Sequence, residues 1–367
     1  MKTIAEILGG AQALMDINFE LQDCFEENLT NEHKTFLHLL RVAETYLPVY
    51  IRPQAKTGRP PYPYHPFIRS MLGKSYFSID TTRSFIERLK SDPNLRLLCG
   101  FDTVPDESTF SRIFSYLAEE GIWSPAFDSI VQKMHEGKVL YHVNRDSTMI
   151  EAREKAVVIK ADNKAKKCKK KRGRPPKNAI KPPKELKELE KQMLEDASVS
   201  IGKLNKNCAF GCKKNSQGKI QTTKGYKLHL DVSDSGFPLT AVITGANVHD
   251  SRLAIPMEKM TEQKVTFCYS LMDAAYDAQT ITDFIHSRER VPIIDPNKRN
   301  DKNRSPLDPA KQERYKIRTT VERSYSHLKD NLLPKSLYVK GHTKVSFVLM
   351  ASVFSLAAIK YLQFLVC

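Results

Sequence analysis

The sequence predicts an α/β protein in which a mixed sheet flanked by helices follows an all-α N-terminal region and is interrupted by a basic, flexible insertion. Three observations carry that expectation. Apolar residues recur at spacings of three and four from Asn28 to about Trp123, the period of helices packed on one face. After Gly137 the pattern changes to short apolar runs separated by turn residues, as strands require. Between the first two of those runs lies a lysine-rich stretch of low complexity, from about 160 to 222. A chain of 367 residues has room for two or three domains of roughly 150 residues. Its 41% hydrophobic and 27% charged residues are ordinary globular usage and argue against wholesale disorder.

The helical N-terminal domain is expected over 1–135, with the apolar stripe read in FLHLLRVAETYL, HPFIRSMLGKSYF and RSFIERLKSDPNLRLLCGF. Pro105 and Asp106 precede ESTFSRIFSYLAEE, where Asp106 suits the N-cap position. The early face of that helix offers Ser108, Thr109, Ser111 and Arg112, a set fit for contacting DNA. A capped helix that only packs has the same pattern, and no helix-turn-helix glycine marks it.

Five strand-like runs follow: VLYHVN, GYKLHLDVS, PLTAVITGAN, VTFCYSLMD and VPIID. Helical stretches are expected near 251–260, 277–288 and 310–331. Three strands in succession, then strands alternating with helices, give the layout of an RNase H-like domain, placed at 138–335. In the insertion, residues 160–177 hold ten Lys or Arg against one Asp, leaving +9 of the chain's net +16. Such a block repels itself and is expected to be a flexible arm until it meets an anion. PPKELKELEKQMLEDA (182–197) reads as a short charged helix. The 15 apolar residues between Lys344 and Lys360 fall short of the roughly 18 that suggest a membrane span. A buried helix within 336–367, and no membrane partner, are therefore expected.

The excess charge, with a pI near 9.4, points to a polyanionic partner, although composition alone is compatible with a merely basic surface. Seven scattered cysteines suit a reducing cytoplasm better than a disulfide scaffold. Cys208 and Cys212 are spaced as zinc ligands can be, but no second close Cys or His pair completes a site. The N-terminus carries Glu6 inside the stretch a signal peptide would need apolar, and reads as no export signal.

The most informative segment is RYKIRTTVERSYSHLKDN. Tyr315, Arg318, Glu322 and Lys329 share one helical face, which presents a carboxylate flanked by cations and a phenol. That grouping suits phosphodiester chemistry, in which a carboxylate holds a divalent metal and cations grip phosphates. An exposed helix laced with ion pairs has the same spacing. The order Tyr, two residues, Arg, three, Glu, six, Lys resembles the signature of the cut-and-paste insertion-sequence transposases with a DDE catalytic domain. The resemblance runs from Gly58 to about Asn331 and takes in TGRPPYPYHPFIRSML, VPDESTFSRIF, GYKLHLDV and TGANVHDS. It implies that Asp146, in HVNRDSTMIEAR, and Asp273, in SLMDAAYDAQTI, join Glu322 as a catalytic and metal-binding triad. The three lie 127 and 49 residues apart and require tertiary folding to meet.

What the resemblance implies further is two Mg²⁺ or Mn²⁺ ions on that triad, binding of double-stranded DNA at terminal inverted repeats and target, and a homodimer in a synaptic complex. Phosphodiester hydrolysis would be followed by strand transfer. Tyr315, Arg318 and Lys329 would contact the DNA, in the cytoplasm of a bacterial or archaeal host. Glu151 is a rival ligand that the resemblance leaves out, and His249 with Asp250 reads either as support for the site or as a turn. Arg172, Gly173, Arg174, Pro175, Pro176 and Lys177 resemble an AT-hook, slim enough for a narrow A·T-rich minor groove. A plain basic linker is the alternative. Relatives that pass through a DNA hairpin carry an indole on a long insertion before the glutamate helix. Here NKRNDKNRSPLDP takes that place, and the sole tryptophan is Trp123. The route of second-strand cleavage is thus left open. A catalytically silent, domesticated DNA-binding protein and a metal-dependent nuclease on the same fold are the rival functions.

Overall fold

The computed structural model describes residues 29–47, 61–157, 186–214, 217–297 and 305–366. Six helices come first: α1 (Asn31–Tyr46), α2 (His65–Tyr76), α3 (Thr82–Ser91), α4 (Pro93–Cys99), α5 (Glu107–Glu120) and α6 (Trp123–His135). Three of their starts follow from side-chain caps, whereas Asp106, at the N-cap position of α5, makes no side-chain cap bond. Thr30, Thr81 and Asp92 accept the N–H of His33, Ser84 and Leu95 at 3.3, 3.0 and 3.0 Å. Two ends fall on glycines in the left-handed conformation, Gly100 (φ 84°) and Gly121 (φ 63°). Phe36, Phe67, Phe85 and Phe110 are fully buried between these helices.

The sheet follows, made of β1 (Val139–Glu151), β2 (Ala209–Lys214), β3 (Ile220–Ser233), β4 (Pro238–Gly245), β5 (Thr266–Met272) and β6 (Val291–Ile294). β3 is antiparallel to β1, β2 and β4, whereas β1, β5 and β6 run parallel to one another. Without the short β2, the order is β4-β3-β1-β5-β6. This is the RNase H-like arrangement that the strand pattern predicts, and the protein belongs to the α/β class. Helices α7 (Glu188–Leu194) and α8 (Ala197–Gly202) precede β2; α9 (Ser251–Glu262) joins β4 to β5, and α10 (Gln279–Ser287) joins β5 to β6.

Three sequence expectations are modified. β1 continues past VLYHVN to Glu151, because β3 pairs with it all the way to Gly225. The insertion expected at 160–222 contains α7, α8 and β2, each fixed by distant partners: α7 and α8 by α9, and β2 by β3. The helix expected at 310–331 is a succession of α11 (Pro309–Tyr315), a 3₁₀ turn (Lys316–Arg318), α12 (Thr319–His327) and a π turn (Leu328–Leu332).

The last helix, α13 (His342–Val366), is apolar on nearly every side. It is long and apolar enough to cross a membrane by length and composition, yet 72% of that stretch is buried inside the protein. Its neighbours include α1, α2, α5 and α6, β4 and the π turn. Trp123, fully packed, has its ring 5.7 Å from those of both Phe347 and Phe354. The sole indole is therefore core material.

Candidate active site

The site forms where β1 and β5 part. Their parallel pairing ends at Asn144↔Leu271, so two residues further along each chain Asp146 and Asp273 fall in one row, on one face. Asp273 caps the 3₁₀ turn Ala274–Tyr276, accepting the Ala275 N–H at 2.9 Å. Asp146 accepts the Ser147 N–H at 2.8 Å. Burial pushes its carboxyl up to about 6; Arg318 and the Ser147 N–H pull it down, and Asp273 pushes it up again.

Above this row runs the Tyr-Arg-Glu-Lys segment. Arg314 lies over the Tyr269 ring at 4.3 Å and reaches His142 at 3.3 Å, which fixes α11 to β1 and β5. The Arg318 guanidinium then bridges two carboxylates: Nη2 is 3.1 Å from Asp146 Oδ2, and Nη1 is 2.9 Å from Glu322 Oε1. Its Nε is buried without a partner among the described residues. Glu322 is 56% exposed, open to whatever approaches. Tyr315 is half-buried, its phenol pushed up to about 12 by burial and by Asp295, Asp273 and Asp146, against the pull of Arg318. Lys329 is held below the usual lysine range by burial and by Lys213, opposed by Asp146. Arg318 thus links Asp146 to Glu322, and Asp273, Tyr315 and Lys329 lie within electrostatic reach of Asp146.

Sequence reasoning missed the group that fastens α12. The Tyr325 hydroxyl donates to the Asp146 carbonyl at 2.7 Å and lies 3.1 Å from that of Leu228. Its place three residues after Glu322, on the same helical side, was the available signal. On the sheet's opposite face, Arg145 is fully buried and bidentate on Asp231, with both contacts at 2.7 Å. It also reaches Glu258 at 3.2 Å. Asp250 stands at the start of α9 and accepts from Ser147 Oγ (2.8 Å) and Lys227 (3.0 Å). These two ties brace β1 on either side of Asp146.

Other expected residues lie elsewhere. Glu151 is five positions along β1, so it points to the other face and is exposed. His249 bonds only Ser251 Oγ (2.8 Å) and its N–H (3.3 Å) among the described residues, a turn contact. Ser108, Ser111 and Arg112 are exposed and Thr109 half-buried on α5, with Arg112 folded onto Ser108 O (3.4 Å) and Thr109 Oγ1 (3.5 Å). Cys208 is buried 3.7 Å from the Glu154 carbonyl, and Cys212 is exposed near Thr222. The AT-hook-like residues Arg172, Gly173, Arg174, Pro175, Pro176 and Lys177 lie outside the described residues.

Three carboxylates offer hard oxygen donors, the set suited to Mg²⁺ or Mn²⁺. Among the described residues no three such groups close on one point. Asp146 and Glu322 already share one cation, the Arg318 guanidinium, as two carboxylates that could hold a divalent ion would. The residues fit the ion.

A family model described as Transposase DDE domain matches residues 145–357, and one described as Transposase domain (DUF772) matches residues 19–115. No curated protein and no solved structure matches the chain.

Proposed function

The chain belongs to the DDE transposase family, an enzyme family of polynucleotidyl transferases and nucleases acting on DNA with divalent metal ions, and on that premise we propose that it cuts and joins insertion-sequence ends. Asp146, Asp273 and Glu322 are the catalytic and metal-holding residues of this reading. The observation that carries it is the shared row of Asp146 and Asp273, with Glu322 tied to Asp146 through Arg318. The two Mg²⁺ or Mn²⁺ ions held there would activate the attacking oxygen and stabilise the leaving one.

The chain's own residues do the rest. The Arg318 Nε–H has no partner among the described residues, and the guanidinium forms a bidentate grip on a phosphate once it releases a carboxylate. Lys329, partly desolvated, supplies a second cation, and Tyr315 packs on the neighbouring sugar. Water attacks phosphorus and the P–O3′ bond breaks, leaving a 3′-hydroxyl on the transposon end and a 5′-phosphate on the flank. That hydroxyl then attacks a target phosphodiester, losing its proton as the target's own 3′-oxygen leaves. Two copies, one per terminal repeat, act together in the host cytoplasm. The α5 residues Ser108, Thr109 and Arg112, with the AT-hook-like arm, hold the duplex away from the cut.

Asp146→Ala, Asp273→Ala and Glu322→Ala are each expected to abolish metal-dependent cleavage while retaining DNA binding, in an assay with a labelled 3′-hydroxyl end. Undiminished cleavage by all three would sink the assignment. Cleavage without joining would favour a nuclease, and binding without either would favour a domesticated DNA-binding protein.

A further inference from the structure

Between Asp196 and Asp231 the chain carries seven lysines and not one acidic residue. The middle of this run folds into a ribbon. β1 accompanies β3 only as far as Gly225 and β4 only as far as Tyr226. From Ile220 to Lys224, β3 has β2 as its only strand partner among the described residues. Five residue pairs, from Phe210↔Lys224 to Lys214↔Ile220, stand beyond the pairing of β1 and β4 with β3. At roughly 3.3 Å per residue the four steps between them span about 13 Å of two-stranded ribbon. Its root is tight: a Cβ at Gly211 or Gly225 would collide with the backbone carbonyl of Ala246 or Ile150.

Lysines on an edge strand also guard against unwanted pairing, and that alone would account for some of them. It does not account for Phe210 and Ile220, 55% and 69% exposed beside those lysines. Nor does it account for the direction of the ribbon, since Lys213 lies within electrostatic reach of both Asp146 and Lys329. Two lysines from opposite elements border the site, a placement that an entering polyanion relieves.

We propose that the β2–β3 ribbon is a duplex-DNA contact that enters the major groove beside the phosphate at Asp146. Lys213, Lys219 and Lys224 engage phosphates, while Phe210 and Ile220 rest on base edges and thymine methyls. The major groove, about 12 Å wide, admits a two-stranded ribbon. Apolar tips flanked by cations match its floor and walls. This rests on the transposase reading and names a contact outside the Tyr-Arg-Glu-Lys signature.

The test is the salt dependence of full-length protein binding to a mixed-sequence duplex, read by fluorescence anisotropy without divalent metal. Replacing Lys213, Lys219 and Lys224 by Gln together should flatten the slope of log K against log salt by about two to three, at about 0.9 per phosphate contact. The Phe210→Ser, Ile220→Ser pair should weaken binding with the slope unchanged. Should the triple variant fold poorly, Lys213→Gln alone should flatten the slope by about one. A wild-type slope in the folded variants overturns the proposal. So does an effect confined to single-stranded DNA. Wild-type protein that cuts and joins DNA, paired with an unaltered variant slope, rejects the ribbon alone. A flattened slope in a protein that cuts no DNA rejects the catalytic reading and leaves the ribbon standing.

Discussion

Burying the Asp146 carboxylate raises its pKa from 3.8 to about 6, although Arg318 and the Ser147 N–H both favour the charged form. An aspartate with a folded pKa above its unfolded one binds a proton more readily in the folded state. Ionised Asp146 therefore subtracts from stability above pH 6, and the penalty fades as pH falls from 6 towards 4. At about 1.4 kcal/mol per pH unit, the penalty is on the order of 2–3 kcal/mol. Asp146→Asn should thus resist denaturant better than the wild type at pH 8 and no better near pH 4, measured by urea unfolding. A gain of equal size at both pH values would show that the charge is not its source. The site is bought with stability, as functional carboxylates commonly are.

At the scale of elements, one hydroxyl sets the position of α12 on the sheet, because Tyr325 bonds the carbonyl of Asp146 itself. Tyr325→Phe should cost about 1–3 kcal/mol, the loss of a hydrogen bond with a buried acceptor left behind. Cleavage should slow at saturating DNA with little change in KM, since Glu322 shifts and the phosphate contacts persist. Equal kcat in the variant would contradict this. The sequence displays these elements unevenly. Period-two runs revealed β1, β3, β4, β5 and β6, each with enough Val, Ile, Leu or Tyr to be read alone. AFGCKK does not reveal β2, because a glycine, a cysteine and two lysines mask its alternation and only the β3 partner makes it a strand. The helical period of 310–331 likewise says nothing of the 3₁₀ turn at Lys316–Arg318, which follows from seating the segment on β1. Asp146, Asp273 and Glu322 were visible through family resemblance. Arg145 was not, since its partners Asp231 and Glu258 lie 86 and 113 residues away.

For the whole molecule, α13 decides what counts as a folding unit. Helices α1, α2, α5 and α6 gather round a helix made some 200 residues later, and their aromatic core includes Phe347 and Phe354. A chain ending at Gly341 should lose protease resistance across 29–135 and helical circular dichroism beyond the deleted helix. A protease-resistant 29–135 fragment on its own would contradict this. During translation at about 5–20 residues per second, the first helices wait roughly 10–40 s for the segment that completes them. A copy of the gene with a premature stop anywhere before His342 is then expected to yield no folded N-terminal bundle. Decayed copies would be silent rather than obstructive, unable to supply a truncated rival for the DNA on which intact copies act.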